Sequence, residues 1–263
     1  MKKNLPLILL ALAFGFIALF SVSRLIGIYL EYRQGEASYE ELTQYVSTPT
    51  PNADTQTADP VPQVSPDNTV WPEIDFKALQ AINDDVVGWI YLEGTKVNYP
   101  IVLGEDNFYY LNRLYDGTGN GSGSIFMDYR NTGSFEDFNN VIYGHRMKNG
   151  TMFAPIANYS NHDFFYSHPY ILIMTPEANY KMEVFSAYVA TLSDPSWDTA
   201  FDSDKQFLDW MNSLKARSYF DTETKLTDSD RVVTLSTCTY ETENARFIVH
   251  GILHRFEKEP PTE

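Results

Sequence analysis

The chain has a single cysteine, Cys238, among its 263 residues. Disulfides need pairs, so no internal staple holds this fold together. Basic residues are scarce as well: 19 Lys and Arg stand against 35 Asp and Glu, for a formal net charge of −16 and a pI near 4.6. A protein that grips phosphate backbones needs clustered cations, so nucleic acid is excluded as a partner. A peripheral hold on anionic lipid is disfavoured for the same reason. The five histidines show no HxxxH or HxH spacing and there is no CxxC, so no metal site is expected. The two "DSD" triplets, at 202–204 and 228–230, lack the ligand spacing of a calcium loop, and no cofactor is implied.

Charge is also missing from Leu5 to Val22, where only Pro6, Gly15 and Ser21 interrupt an apolar run. That length approaches the roughly 20 residues needed to span a bilayer. A cleavable signal peptide is the rival reading, with Ser21-Val22-Ser23 as a small-x-small cleavage site. An uncleaved anchor over residues 5–28 is favoured, because apolar residues resume at Leu25, Ile26 and Ile28. Lys2 and Lys3 assign residues 1–4 to the cytoplasm and the body of the protein to the outside. Residues 29–70 read as an extracellular helix followed by a linker. Its stretch "STPTPNADTQTADPVPQVSPDN" has five prolines, and no aromatic occurs between Tyr45 and Trp71.

From Trp71 to about residue 258 the pattern is globular, with a short tail at 259–263. "DFKALQAIN" reads as a short helix with Asp75 as its N-cap. Eight runs then follow: "VVGWIYL", "VNYPIVL", "GSIFMDYR", "NNVIYGH", "YILIMTP", "YKMEVFSAYVA", "RVVTLST" and "ARFIVHGIL". Each is short, rich in β-branched and aromatic residues, and bounded by turn formers. Eight such runs at this spacing predict a mostly β fold, a single closed or nearly closed eight-stranded barrel. One helix is inserted between the late strands, because Phe207, Trp210, Met211 and Leu214 share a helical face. "NHDFFYSH" reads as an exposed polar loop.

Cys238 ends one strand run, at the tip of a hairpin-like segment. The bland fate of a lone cysteine is burial as a small hydrophobe. The alternative is a nucleophile, which requires the thiolate and hence a nearby cation or proton acceptor. His145, His162, His168, His250 and His254 are the candidates, and taken singly each is more often structural. His145 ends "NNVIYGH" and projects from a strand end, whereas His250 lies inside an apolar strand. Arg246 opens the strand after Cys238, eight positions on, and antiparallel neighbours bring such ends to one face. Its ordinary alternative is a surface ion pair with Glu241 or Glu243.

"TLSTC" ending a strand, an arginine opening the next, and an upstream "YGH" together resemble the active site of sortases, the cysteine transpeptidases of Gram-positive surfaces. The serine in that box and the late inserted helix are similar to class B members. Papain-like enzymes place cysteine before histidine and do not fit. The resemblance spans about Trp71 to Phe256, plus the N-terminal anchor. It implies Cys238 as nucleophile, His145 as general acid/base and Arg246 as oxyanion or substrate clamp. It further implies a substrate groove drawing on Asn107, Leu111, Tyr143 and Ser236. The implied partners are surface proteins with a C-terminal sorting signal (NPxTN-like or PxTG-like), and a peptidoglycan-precursor or pilin amine as acceptor. A cysteine endopeptidase of the same fold that mainly hydrolyses, and a non-catalytic wall-associated binding module, are the alternatives.

Overall fold

The computed structural model describes residues 5–47, 69–238 and 245–257, except for the side chains of residues 5–8, 11, 238 and 257. Helix α1 runs unbroken from Leu5 to Glu41 and forms a compact unit of its own. Pro6 falls in its first turn, where a missing N–H interrupts no helical bond. Its apolar side chains are exposed on every side, Phe16 and Leu19 to 73% each. An aqueous helix would confine them to one stripe. The helix is long and apolar enough to cross a membrane.

The second unit begins at Leu42. Strand β1 (Val46–Ser47) pairs antiparallel with β2 (Glu73–Ile74), a two-stranded ribbon that no sequence pattern announces. From residue 48 to 68 the expected Pro/Thr-rich linker lies outside the described residues. Helix α2 (Phe76–Ile82) starts as expected, the Asp75 carboxylate accepting from the Ala78 N–H at 2.9 Å.

Among the described residues, eight strands close a barrel: β3 (Val86–Tyr91), β4 (Asn98–Leu103), β5 (Ile125–Met127), β6 (Asn139–Tyr143), β7 (Tyr170–Met174), β8 (Ala178–Thr191), β9 (Val232–Cys238) and β10 (Ala245–Glu257). Around the ring the order is β10-β8-β7-β3-β4-β5-β6-β9. Neighbours are antiparallel except β4–β5 and β6–β9, which run parallel. All eight expected runs are strands. The third is shorter than expected: β5 ends at Met127, and at the corner that follows the Asp128 side chain collects hydrogen bonds while its N–H still donates to the Val141 carbonyl at 2.8 Å. "NHDFFYSH" departs from its reading as a loop. It holds the short helix α3 (His162–Ser167), capped by Asn161 and pinned by buried Phe165.

Helix α4 (Asp204–Lys215) is the expected insertion, N-capped by Ser203. It buries Phe207, Trp210, Met211 and Leu214 against Phe185, Tyr188, Val232, Ile248 and Ile252. Each such side chain contributes about 1.5–3 kcal/mol. This cover also explains the nearly continuous burial along β8, which alternates poorly because both of its faces are occupied.

Candidate active site

Three strand ends converge on one cleft. The parallel β6–β9 pairing sets Tyr143 beside Ser236, and the antiparallel β9–β10 pairing sets Arg246 beside Cys238. The cleft has a volume of about 340 Å³. Asn107, Leu111, Tyr143, His145, Ser236 and Arg246 all line it. Six of the seven residues singled out in the sequence therefore share one cavity. The seventh, Cys238, closes β9 with its Cα opposite that of Arg246, and its side chain lies outside the described set.

His145 follows β6 after a single glycine, and that glycine is a steric requirement. A Cβ on Gly144 would sit 2.5 Å from Ile125 Cδ1 and 2.6 Å from Phe153 Cγ. The histidine's own carbonyl accepts from the Phe153 N–H at 2.9 Å, which fixes the chain as it leaves the strand. The imidazole Nε2 lies 2.7 Å from the Leu111 carbonyl oxygen. A carbonyl only accepts, so Nε2 carries a proton. Gly123, at φ +60°, completes this corner: a Cβ there would meet the Leu111 oxygen at 2.6 Å and His145 Cδ2 at 3.0 Å. Leu111 thus serves the site through its backbone, which its residue type does not reveal.

Arg246 is half-buried and donates from Nη1 to the Ala245 carbonyl at 3.0 Å. Glu241 and Glu243, its alternative partners, lie outside the described residues. Among the described residues no carboxylate pairs with it, and it lines the cleft.

The cleft also has residues with no role in the sequence reading: Phe126, Leu192 and Trp197. Trp197 follows β8, in a turn that the sequence shows only as a gap before α4. Its indole N–H donates to the Ser236 hydroxyl at 3.2 Å, so Ser236 holds a wall of the cleft. Behind the wall stands Asp128, whose side chain is fully buried. It accepts from Asn107 Nδ2 at 3.1 Å, from the Tyr143 hydroxyl at 2.8 Å, and from Arg130 through Nε, Nη2 and the backbone N–H at 2.8, 2.8 and 3.0 Å. Burial alone would raise its pKa. The hydrogen bonds from Arg130 and Tyr143 outweigh that and hold it below the usual carboxylate range. The Tyr143 phenol is pushed up by burial and by the Asp128 charge, so it stays protonated and donating. An acid and a base two residues apart at the end of an apolar run, "FMDYR", were the signal available for this pair.

The remaining histidines serve elsewhere. His162 is exposed beside Asp163, His168 stacks on Phe164 with ring centroids 4.0 Å apart, and His254 meets Glu183 at 2.8 Å. His250 is buried within β10. Its Nδ1 lies 2.9 Å from the Thr234 hydroxyl, which itself donates to Asn139 Oδ1 at 2.7 Å, and its Nε2 lies 3.0 Å from the Tyr188 hydroxyl. Burial drives its pKa down to about 3, so it is neutral.

Comparison with known proteins identifies the family. A sortase-domain family model matches residues 90–254. Sortase B of Listeria monocytogenes is 38% identical over 181 residues, spanning 68% of this chain and 74% of that protein. Sortase B of Staphylococcus aureus is 31% identical over 245 residues, 92% of this chain and 91% of its own. The crystal structure of sortase B from B. anthracis in complex with AAEK1 matches with a TM-score of 0.71 at 34% identity, covering 86% of this chain and 99% of that one. With the closed eight-stranded barrel and the strand-end cleft, these matches make the chain a member of the sortase family, class B, and hence a cysteine transpeptidase.

Proposed function

We propose that Cys238, His145 and Arg246 carry the transpeptidation, and that the substrate is the C-terminal sorting signal of a surface protein, NPxTN-like or PxTG-like. The observation that carries this reading is the strand register. It pairs Arg246 with Cys238 at the end of β9 and opens the same cleft to His145 and Tyr143. The Cys238 thiolate attacks the carbonyl after the signal's threonine, and the carbon becomes tetrahedral with its charge on oxygen. The Arg246 guanidinium donates to that oxyanion. His145, protonated on Nδ1, gives that proton to the departing amine as the C–N bond breaks, which leaves an acyl-thioester. An amine of a peptidoglycan precursor or a pilin then attacks the thioester. His145 takes the proton back from it, and the thiolate leaves. Asn107, Tyr143 and Ser236 form the walls against which the signal lies, and Leu111 holds His145 by its carbonyl.

The apolar N-terminal helix supports a single-pass anchor in the cell membrane, with the N-terminus cytoplasmic and the catalytic unit outside. A surface-protein substrate and a wall-linked acceptor are met on that side.

The test uses the full chain in detergent with synthetic signal peptides. Cleavage between threonine and the next residue, a mass-detectable thioester on Cys238, and ligated product when an amine is supplied are expected. A peptide library that yields no thioester would overturn the assignment. Thioester formation followed only by hydrolysis, at any amine concentration, would favour the endopeptidase alternative.

A further inference from the structure

We infer that Asp128 is a positioning residue for substrate binding, one carboxylate that orders Asn107, Tyr143 and Trp197 of the cleft lining at once; this rests on the reading of the cleft above as the sorting-signal groove. A fully buried carboxylate is costly unless its lone pairs are filled. Here five donors fill them, from three residues. Asn107, from the loop after β4, and Tyr143, from the end of β6, both line the cleft. Arg130 is clamped to both carboxylate oxygens and uses Nη2 again to donate to the carbonyl of Trp197, a third lining residue, at 3.0 Å. The Trp197 indole in turn rests on Ser236.

The Asn107 amide is oriented from both ends. Its Nδ2 donates to Asp128, and its Oδ1 accepts from the Tyr129 N–H at 3.1 Å. An amide nitrogen has two protons, and among the described residues the second has no acceptor. Asp128 therefore fixes where Asn107 presents its remaining donor to a bound peptide. It touches no reacting atom: its contacts run to the walls, not to His145 or Arg246.

This predicts a particular pattern of damage. Asp128→Asn keeps the shape but cannot accept from Arg130, Tyr143 and Asn107 together, so KM for the signal peptide rises at least about tenfold while kcat changes less. Reaction of native Cys238 with iodoacetamide, which needs no groove, stays within about twofold of wild type. Because Asp128 acts through Asn107, adding Asn107→Ala to Asp128→Asn costs far less than the two single losses combined. If Asp128→Asn does not fold, Tyr143→Phe, which deletes one donor to the same carboxylate, carries the same cycle with Asn107→Ala.

Additive losses, a KM equal to wild type, or a fall in kcat, alkylation rate and melting temperature together would overturn the inference. A wild-type enzyme that cleaves no signal peptide would instead sink the functional reading beneath it.

Discussion

His145 and His250 belong to the same stretch of sheet and have opposite fates. His145 stands two residues past the end of β6. His250 sits mid-strand in β10, with Thr234 of β9 beside it and Val141 of β6 next in the same row. The first lines a cleft, its Nε2 on the Leu111 carbonyl. The second has both nitrogens spent on hydroxyls and α4 closed over it. Position along the strand separates them. A strand end presents a side chain to a groove, whereas a mid-strand site under a helix makes the same imidazole a polar piece of core.

The largest break in that comparison comes from alanine at each position. His145→Ala should lower turnover by about 10²–10⁴ and leave the melting temperature nearly unchanged. His250→Ala should do the reverse. It costs about 2–4 kcal/mol by leaving a cavity and two hydroxyls without their partner, while kcat in the folded fraction stays close to wild type. Peptide cleavage and a denaturant melt on both variants decide it. Activity lost with His250 and kept without His145 would exchange the roles.

Arg246→Lys sharpens the cleft side of the comparison. An ammonium cannot reproduce the planar fork, so loss of the oxyanion donor should cost about 10²–10³ in rate, or roughly 3–4 kcal/mol of transition-state stabilisation. If Arg246 served only a surface ion pair, the rate would be unchanged and stability would move by at most ~1 kcal/mol.

The smallest effect is on pH. His250 binds its proton with a pKa of about 3 in the folded protein, against an ordinary 6.5. Burial is the main cause, with the Arg217 charge adding to it and Asp194 opposing it. The native state thus binds fewer protons. The stability tied to neutral His250 is whole above pH 6.5 and is lost as pH falls toward 3, by at most about 1.4 kcal/mol per unit. Asp128 and Asp194, both held below their ordinary pKa, add losses only as pH drops beneath the usual carboxylate range. Urea midpoints between pH 7 and 5 isolate the histidine. The wild-type slope should flatten in His250→Ala, and an unchanged slope would assign it to other groups.

Much of this was legible in the sequence for identifiable reasons. Barrel strands such as β4 and β9 announce themselves because their β-branched runs end at Gly, Asn or Asp. α4 announces itself because four large apolar residues repeat at helical spacing. The strand-end positions of Cys238, His145 and Arg246 were legible because each sits where an apolar run ends or begins. The hidden parts depend on through-space meetings. No local pattern joins Ser47 to Glu73 in the β1–β2 ribbon, brings the Leu111 carbonyl to His145, or carries Trp197 across to Ser236. Asp128 looked like the tail of a strand because its five donors come from three residues, Asn107, Arg130 and Tyr143, that only the closed barrel gathers.

The parallel seam between β6 and β9 has a kinetic consequence. It joins residues 139–143 to 232–238, contacts some ninety positions apart in the chain, and such long loops close late and slowly. The same seam brings Tyr143 and His145 to the strand that ends in Cys238. Until β9 docks, the ring is open and Cys238 is apart from Tyr143 and the cleft. Completing the barrel and assembling the cleft are one event, so a partly folded chain carries an unassembled cleft.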